Sequence, residues 1–200
     1  INQMSVNVPA GLTFGVGLRA LLRQDPDIIM LGETRDAETA EISVKAAITG
    51  HLVISTLHTN DAISSIVRLE DMGLAPYLVA NSLVGVVAQR LVRKVCANCG
   101  YETTPTAEET AIIGPDIKVI RKGKGCHICN NTGYKGRVSI HEMVLIDKTL
   151  KRMITKGADS LDMFNYAVEQ QGMKTLKEGA VALVKRGITT PEEVLKVAYD

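Results

Sequence analysis

The chain has 200 residues, 46% hydrophobic and 22% charged, with four cysteines, two phenylalanines and no tryptophan. That composition excludes a disordered or fibrous polypeptide and requires a core of aliphatic side chains. The formal net charge of +1 gives no general attraction for nucleic acid or an acidic membrane surface. No signal-peptide pattern opens the chain. Its most apolar stretch, "LVANSLVGVVAQRLV" at 78–92, holds Asn81, Ser82, Gln89 and Arg90 and is too short to span a bilayer; the chain reads as soluble.

The opening "INQMSVNVPAG" lacks an initiator Met and begins in mid-strand pattern, which predicts a piece of a longer protein. "VGLRALLRQ" at 16–24 is amphipathic, with Arg19 and Arg23 one turn apart. Pro26 closes that helix, and "DIIMLG" follows as a buried strand. Asp36 is an N-cap, Glu38 and Glu41 suit the helix dipole, and Gly50 stops a helix over 37–49. "LVISTL" is a second buried strand, "DAISSIVRLEDM" a helix ended by Gly73, and Pro76 opens a long helix toward Lys94. Apolar strands alternating with helices predict an α/β fold with a parallel sheet covered on both faces.

From Cys96 the texture turns short, polar and Gly-rich, apart from a capping-box helix start at Thr106 and Glu109. A strand-like return spans 136–146. The last fifty residues read as helices, with Asp147, Asp159 and Thr190 as caps, Pro191 at N1 and Glu193 at N3. The predicted division is 1–95 for an α/β core, 96–133 for a cysteine module, and 134–200 for the strand return and a helical subdomain.

The cysteines form two C-x-x-C pairs, Cys96 with Cys99 and Cys126 with Cys129, separated by 26 residues. Two such knuckles supply the four thiolates of a structural zinc site. Redox pairs and disulfides are the competing readings; neither a thioredoxin-like context nor a secretory signal accompanies them. His127 lies inside the second knuckle and is not needed once four sulfurs close the site.

Two polar clusters fall at the C-terminal tips of the predicted parallel strands, where open α/β sheets bind ligands. One is "GETRD", with Glu33, Arg35 and Asp36; the other is "STLHTND", with Ser55, Thr56, His58, Thr59, Asn60 and Asp61. Helix capping accounts for Asp36 and Asp61. An acid and an imidazole delivered together by buried strands need a cation, a phosphate or water to offset desolvation, so Glu33 and His58 are the candidate functional pair, with a structural histidine as the alternative. No G-x-x-x-x-G-K-[ST] phosphate loop occurs in the 200 residues.

"GETRD" resembles the Walker B element, and "GHLVISTLHTND" the His box, of the type II secretion and type IV pilus assembly ATPases, the GspE/PilB-like superfamily. "AQRLVRKVCANCG" with "GCHICNNTGYKGRVSIHE" resembles that branch's tetracysteine insertion, absent from the PilT-like retraction motors. The resemblance spans essentially the whole chain. It implies a RecA-like parallel sheet, partial here because the phosphate loop and Asp box precede the matched region, with a tetracysteine zinc module and a C-terminal helical subdomain. It implies a hexameric ATPase that powers pseudopilus or pilus assembly, using ATP and Mg²⁺ with structural Zn²⁺. Glu33 then orients water and metal, and His58 lies near the γ-phosphate. Arg19, Arg23, Arg35, Arg68, Arg93 and Thr59 fall at nucleotide or intersubunit positions, although Arg19 and Arg23 also fit a solvated helix face. The implied partners are the other subunits and inner-membrane assembly platform proteins, with no nucleic acid. The implied location is cytoplasmic, peripheral to the inner membrane, and the 200 residues by themselves are expected to be inactive. The rival reading is a non-enzymatic zinc-ribbon module for protein or nucleic acid, for which "VIRKGKG", Tyr101 and Tyr134 supply the few basic and aromatic residues.

Overall fold

The computed structural model describes residues 1–199. The first half holds α1 (Phe14–Leu22), β1 (Ile28–Met30), α2 (Ala37–Ile48), β2 (Leu52–Ile54), α3 (Ser64–Asp71) and α4 (Pro76–Ser82). Then come β3 (Gly85–Val95), β4 (Gly100–Thr103), α5 (Ala107–Ile113), β5 (Ile120–Gly123) and β6 (Tyr134–Leu145). Four helices close the chain: α6 (Lys148–Thr155), α7 (Ser160–Glu169), α8 (Leu176–Lys185) and α9 (Pro191–Tyr199). Two compact units result, one from 1–86 with 144–167, the other from 87–143 with 168–200.

In the first unit, β1 and β2 pair in parallel with Ile28 opposite Leu52, Ile29 opposite Val53 and Met30 opposite Ile54. Leu18, Ile29, Leu31 and Ala46 form the core behind this sheet, joined by Phe14, Leu22, Ile42 and Val53. Two of the predicted caps form, Asp36 accepting from the Thr39 amide (2.7 Å) and Asp147 from Thr149 and Leu150 (3.0 and 2.9 Å). Thr13, which is not among the predicted caps, caps α1 by accepting from the Val16 amide (3.3 Å). Gly50, at φ +108°, ends the α2 segment in a conformation that only glycine adopts readily.

Two expectations need correction here. The strands are not buried on both faces: Ile29 is 3% exposed, but Ile28 and Met30 are 61% and 75% exposed. Side chains alternate along a strand, and the helices of this unit cover one face of its two strands. The long helix from Pro76 also stops early, at Ser82, and Gly85–Val95 is strand β3. The buried residues Ala88 and Val92 are four apart, a spacing that satisfies both a helical turn and two strand repeats. Pairing with β6 decides for the strand, which the β-branched residues at Val84, Val86 and Val87 suit.

The second unit is a strand-and-knuckle module braced by helices. β3 pairs with β6, and β4 pairs antiparallel with β5, Tyr101 lying opposite Lys122. The capping box at α5 forms as expected: Glu109 N–H donates to Thr106 Oγ1 (3.2 Å), and Thr106 N–H to Glu109 Oε2 (3.0 Å). Residues 188–193 lie along β3, with Val95 N–H donating to the Ile188 carbonyl (2.9 Å) and the Thr189 hydroxyl to the Arg93 carbonyl (2.7 Å). Among the described residues, no helix is long and apolar enough to cross a membrane.

Candidate functional site

The two β-strands of the first unit deliver the predicted acid and imidazole to one place. Just past β1, the Glu33 carboxylate is 22% exposed; just past β2, the His58 ring is 84% exposed, its Nε2 lying 3.4 Å from Glu33 Oε2. Arg35 Nε also bonds Glu33 Oε2, so one carboxylate oxygen faces two nitrogen groups. Asp36 caps α2; Asp61 lies two residues before the cap position of α3, held by Ile63, and its carboxylate accepts from the Ser64 amide at 2.7 Å. Thr59 lies beside them, its hydroxyl bonded with Ser65 Oγ (2.8 Å) and donating to the Asp61 carbonyl. An anionic group with one polarised oxygen and an exposed imidazole beside it suits handling of water, a cation or phosphate.

The arginines separate. Arg35 belongs to the strand-tip cluster. Arg19 pairs with Glu38 at 2.7 Å, both about half exposed, an arrangement worth a fraction of a kcal/mol. Arg23, at the C-cap of α1, and Arg68, on α3, are exposed. Arg93 belongs to the second unit and is engaged there. Its backbone N–H and Nε donate to Glu193 (2.8 and 2.9 Å), Nη2 reaches Glu193 at 2.7 Å and Glu192 at 3.0 Å, and its guanidinium lies 3.8 Å over the Tyr134 ring. Burial would raise the Glu193 carboxyl, but donors from Arg93 and Lys196 hold it at about 2. The partners of Arg93 are a hundred residues away, beyond any local pattern; Tyr134, whose hydroxyl bonds Thr190 Oγ1 at 2.8 Å, carried no signal beyond its aromatic ring.

The four cysteines converge. Their Sγ atoms all lie within 4.8 Å of one another, with separations of 4.0 Å (Cys96–Cys126), 3.8 Å (Cys99–Cys129) and 3.7 Å (Cys126–Cys129). Zinc–sulfur bonds of about 2.3 Å in a tetrahedron imply sulfur–sulfur edges of about 3.8 Å, so the donor set fits Zn²⁺. Backbone and side-chain donors point at the sulfurs: Cys126 N–H donates to Cys129 Sγ (3.2 Å) and the Asn98 amide to Cys126 Sγ (3.4 Å). The Asn98 bond holds the Cys126 thiol down at about 6, whereas desolvation pushes Cys99 up to about 12. The fold brings the knuckles together through a close backbone crossing. A Cβ on Gly123 would lie 2.1 Å from the Gly133 carbonyl oxygen, and Gly133 itself has φ +78°; that carbonyl accepts from Cys96 N–H at 2.9 Å. His127 is exposed and outside the set.

The family model "Type II/IV secretion system protein" matches residues 1–196. The chain belongs to that family. Among its relatives, the "Type IV pilus assembly ATPase PilB" of Thermus thermophilus is 50% identical over 200 residues, covering 98% of this chain and 22% of the relative. The "Type II secretion system ATPase E" of Vibrio cholerae is 42% identical over 203 residues, covering 100% of this chain and 40% of the relative. The crystal structure of "the Pilus Retraction Motor PilT and Bound ADP" superposes with a TM-score of 0.65 at 29% identity, covering 94% of this chain and 44% of that one. The chain thus spans less than half the length of these family members. The mixed α/β fold with a small parallel sheet is the one expected, and the match extends far beyond the cysteines on which the zinc-ribbon alternative rested.

Proposed function

We propose that this chain is the C-terminal portion of a hexameric ATPase that drives pseudopilus or type IV pilus assembly, and that Glu33 and His58 form its water- and metal-handling edge. The observation that carries the reading is the convergence of Glu33, Arg35 and His58 at the tips of two parallel strands. When bound, Mg²⁺ neutralises charge building on the γ-phosphate. The Glu33 carboxylate, fixed by its strand, holds the attacking water's proton side; Arg35 keeps that carboxylate oriented; His58 donates from Nε2 toward phosphate oxygens. Arg23 and Arg68, exposed on their helices, serve nucleotide or intersubunit contacts, and Arg19 joins them by exchanging Glu38 for phosphate or a neighbouring subunit. Arg93 and Thr59 act through contacts within the chain.

On this reading residues 1–95 work as the ATPase core and 134–200 as the helical subdomain. Residues 96–133 hold structural Zn²⁺ on Cys96, Cys99, Cys126 and Cys129, forming a rigid platform for the inner-membrane assembly partner on the cytoplasmic side. Four thiolates leave no open coordination position, which argues for scaffolding rather than catalysis. The test is Glu33→Gln in the full-length protein, followed by phosphate release. Turnover should fall on the order of 100-fold or more with nucleotide binding retained; wild-type turnover would overturn the assignment. The 200-residue chain, tested in parallel, is expected to release no phosphate, and Glu33-dependent turnover by it would contradict that part.

A further inference from the structure

The parallel ladder of β1 and β2 ends at Met30 and Ile54, before the chain reaches Glu33 and His58. Two backbone bonds continue it, from Leu31 N–H to the Ile54 carbonyl (2.8 Å) and from Thr34 N–H to the Thr56 carbonyl (3.0 Å). Side chains supply the rest. The Thr56 hydroxyl donates to the Gly32 carbonyl at 2.6 Å, and the Thr34 and Ser55 hydroxyls share a hydrogen bond of 2.8 Å. Both neighbours of Glu33 are therefore tied to the segment that leads, two residues later, to His58. Thr34 is only 5% exposed while Glu33 and Arg35 on either side reach outward. A hydroxyl buried at that depth needs its partner, because an unmet one costs about 1–3 kcal/mol.

We infer that Thr34 and Ser55 are a positioning pair that sets the Glu33 carboxylate against His58. The role rests on the ATPase reading above and deepens it: neither hydroxyl touches the reacting groups, and both act through the backbone that carries them. Strand β1 alone fixes where Glu33 leaves the sheet, not its spacing from a residue on another strand. The hydroxyl bridge fixes that spacing, and misplacement by about 1 Å can cost on the order of 100-fold in rate.

The experiment compares Glu33→Gln, Thr34→Val, Thr34→Ser and Ser55→Ala in the full-length protein, with kcat and KM for ATP measured separately. Thr34→Val keeps the branched shape and deletes the hydroxyl. It should lower kcat about tenfold with KM within about twofold, the pattern of an interaction felt in the transition state. Thr34→Ser should recover most of that loss, and Ser55→Ala should match Thr34→Val. Wild-type kcat in both Thr34→Val and Ser55→Ala, or a rise in KM with kcat unchanged, would overturn the positioning role while a dead Glu33→Gln left the ATPase reading standing. Full turnover in Glu33→Gln would remove both. Should Thr34→Val fail to fold, Ser55→Ala, altered at an exposed residue, decides the same question.

Discussion

The two polar centres of this chain are built to opposite plans. At the strand tips, side chains stay open while the backbone beneath is tied down: His58 is 84% and Arg35 68% exposed. Their nitrogen groups lie beside the Glu33 carboxylate and are open to solvent. At the cysteine centre the ligating atoms face one another within 4.8 Å, with Cys96 and Cys129 buried. The first centre can lose its function without disturbing the fold, because exposed ion pairs contribute little stability. The second cannot, because its ligands are tied to the Gly123–Gly133 crossing of the module that holds them, Cys96 N–H donating to the Gly133 carbonyl.

The largest expected effect tests that contrast at the sulfurs. Cys126→Ser should lower zinc retention more than about 100-fold, since even changes behind the ligands cost roughly 10- to 100-fold. Metal analysis of the purified protein should fall from one zinc per chain to none, and amide exchange should rise through 96–133. Glu33→Gln should leave the zinc content and the exchange pattern at wild-type values. A zinc-replete Cys126→Ser, or a Glu33→Gln that loses metal, would erase the distinction between an open and a closed centre.

The next effect is carried by Arg93 and Glu193, which join β3 to the start of α9. Glu193 is 4% exposed and meets both Arg93 and Lys196. Arg93→Ala removes one partner while Glu193 keeps Lys196 and the backbone N–H of residue 93; with Arg93 itself 38% exposed, the second unit should lose about 1–2 kcal/mol, the worth of a hydrogen bond to a charged group. Denaturant unfolding checks the size, and faster amide exchange in α9 checks the place. The pH dependence follows from Glu193, whose folded value of about 2 lies below its ordinary 4.5. A depressed carboxyl contributes its full stability above the unfolded value and loses it as pH falls toward the folded one. Protection of α9 should therefore decline between about pH 4.5 and 2, and Glu193→Gln should flatten that decline.

How much of this could be read in the sequence depended on distance along the chain. Caps at Thr106, Asp36 and Asp147 were legible because the capping residue and the amide it serves are two or three positions apart. The cysteine knuckles and the acid at the end of β1 were legible because ligand spacing and strand ends are local patterns. The strand Gly85–Val95 was not, since Ala88 and Val92 fit either period and only pairing with β6 chose between them. Nor were the Arg93–Glu193 pair or the Thr34–Ser55 bridge, which join residues 100 and 21 positions apart. Burial failed at Ile28 and Met30 for a related reason: an apolar run shows that a strand has two apolar faces, not that both are covered.

That last point gives the smallest predicted effect and the finest test. Within three consecutive residues of β1, exposure changes from 61% to 3% to 75%. Ile29→Ala opens a hole in the core and should cost about 2–4 kcal/mol. Met30→Thr, with Ile54→Thr opposite it in the ladder, alters a face that water already reaches and should change stability by no more than about 0.5 kcal/mol per site. The same pair should reduce concentration-dependent association in sedimentation, because contiguous apolar strand surface favours self-contact. If Met30→Thr instead proves as costly as Ile29→Ala, the outer face of this sheet is buried in solution, and the alternation of exposed and covered residues along β1 is not the state the protein occupies.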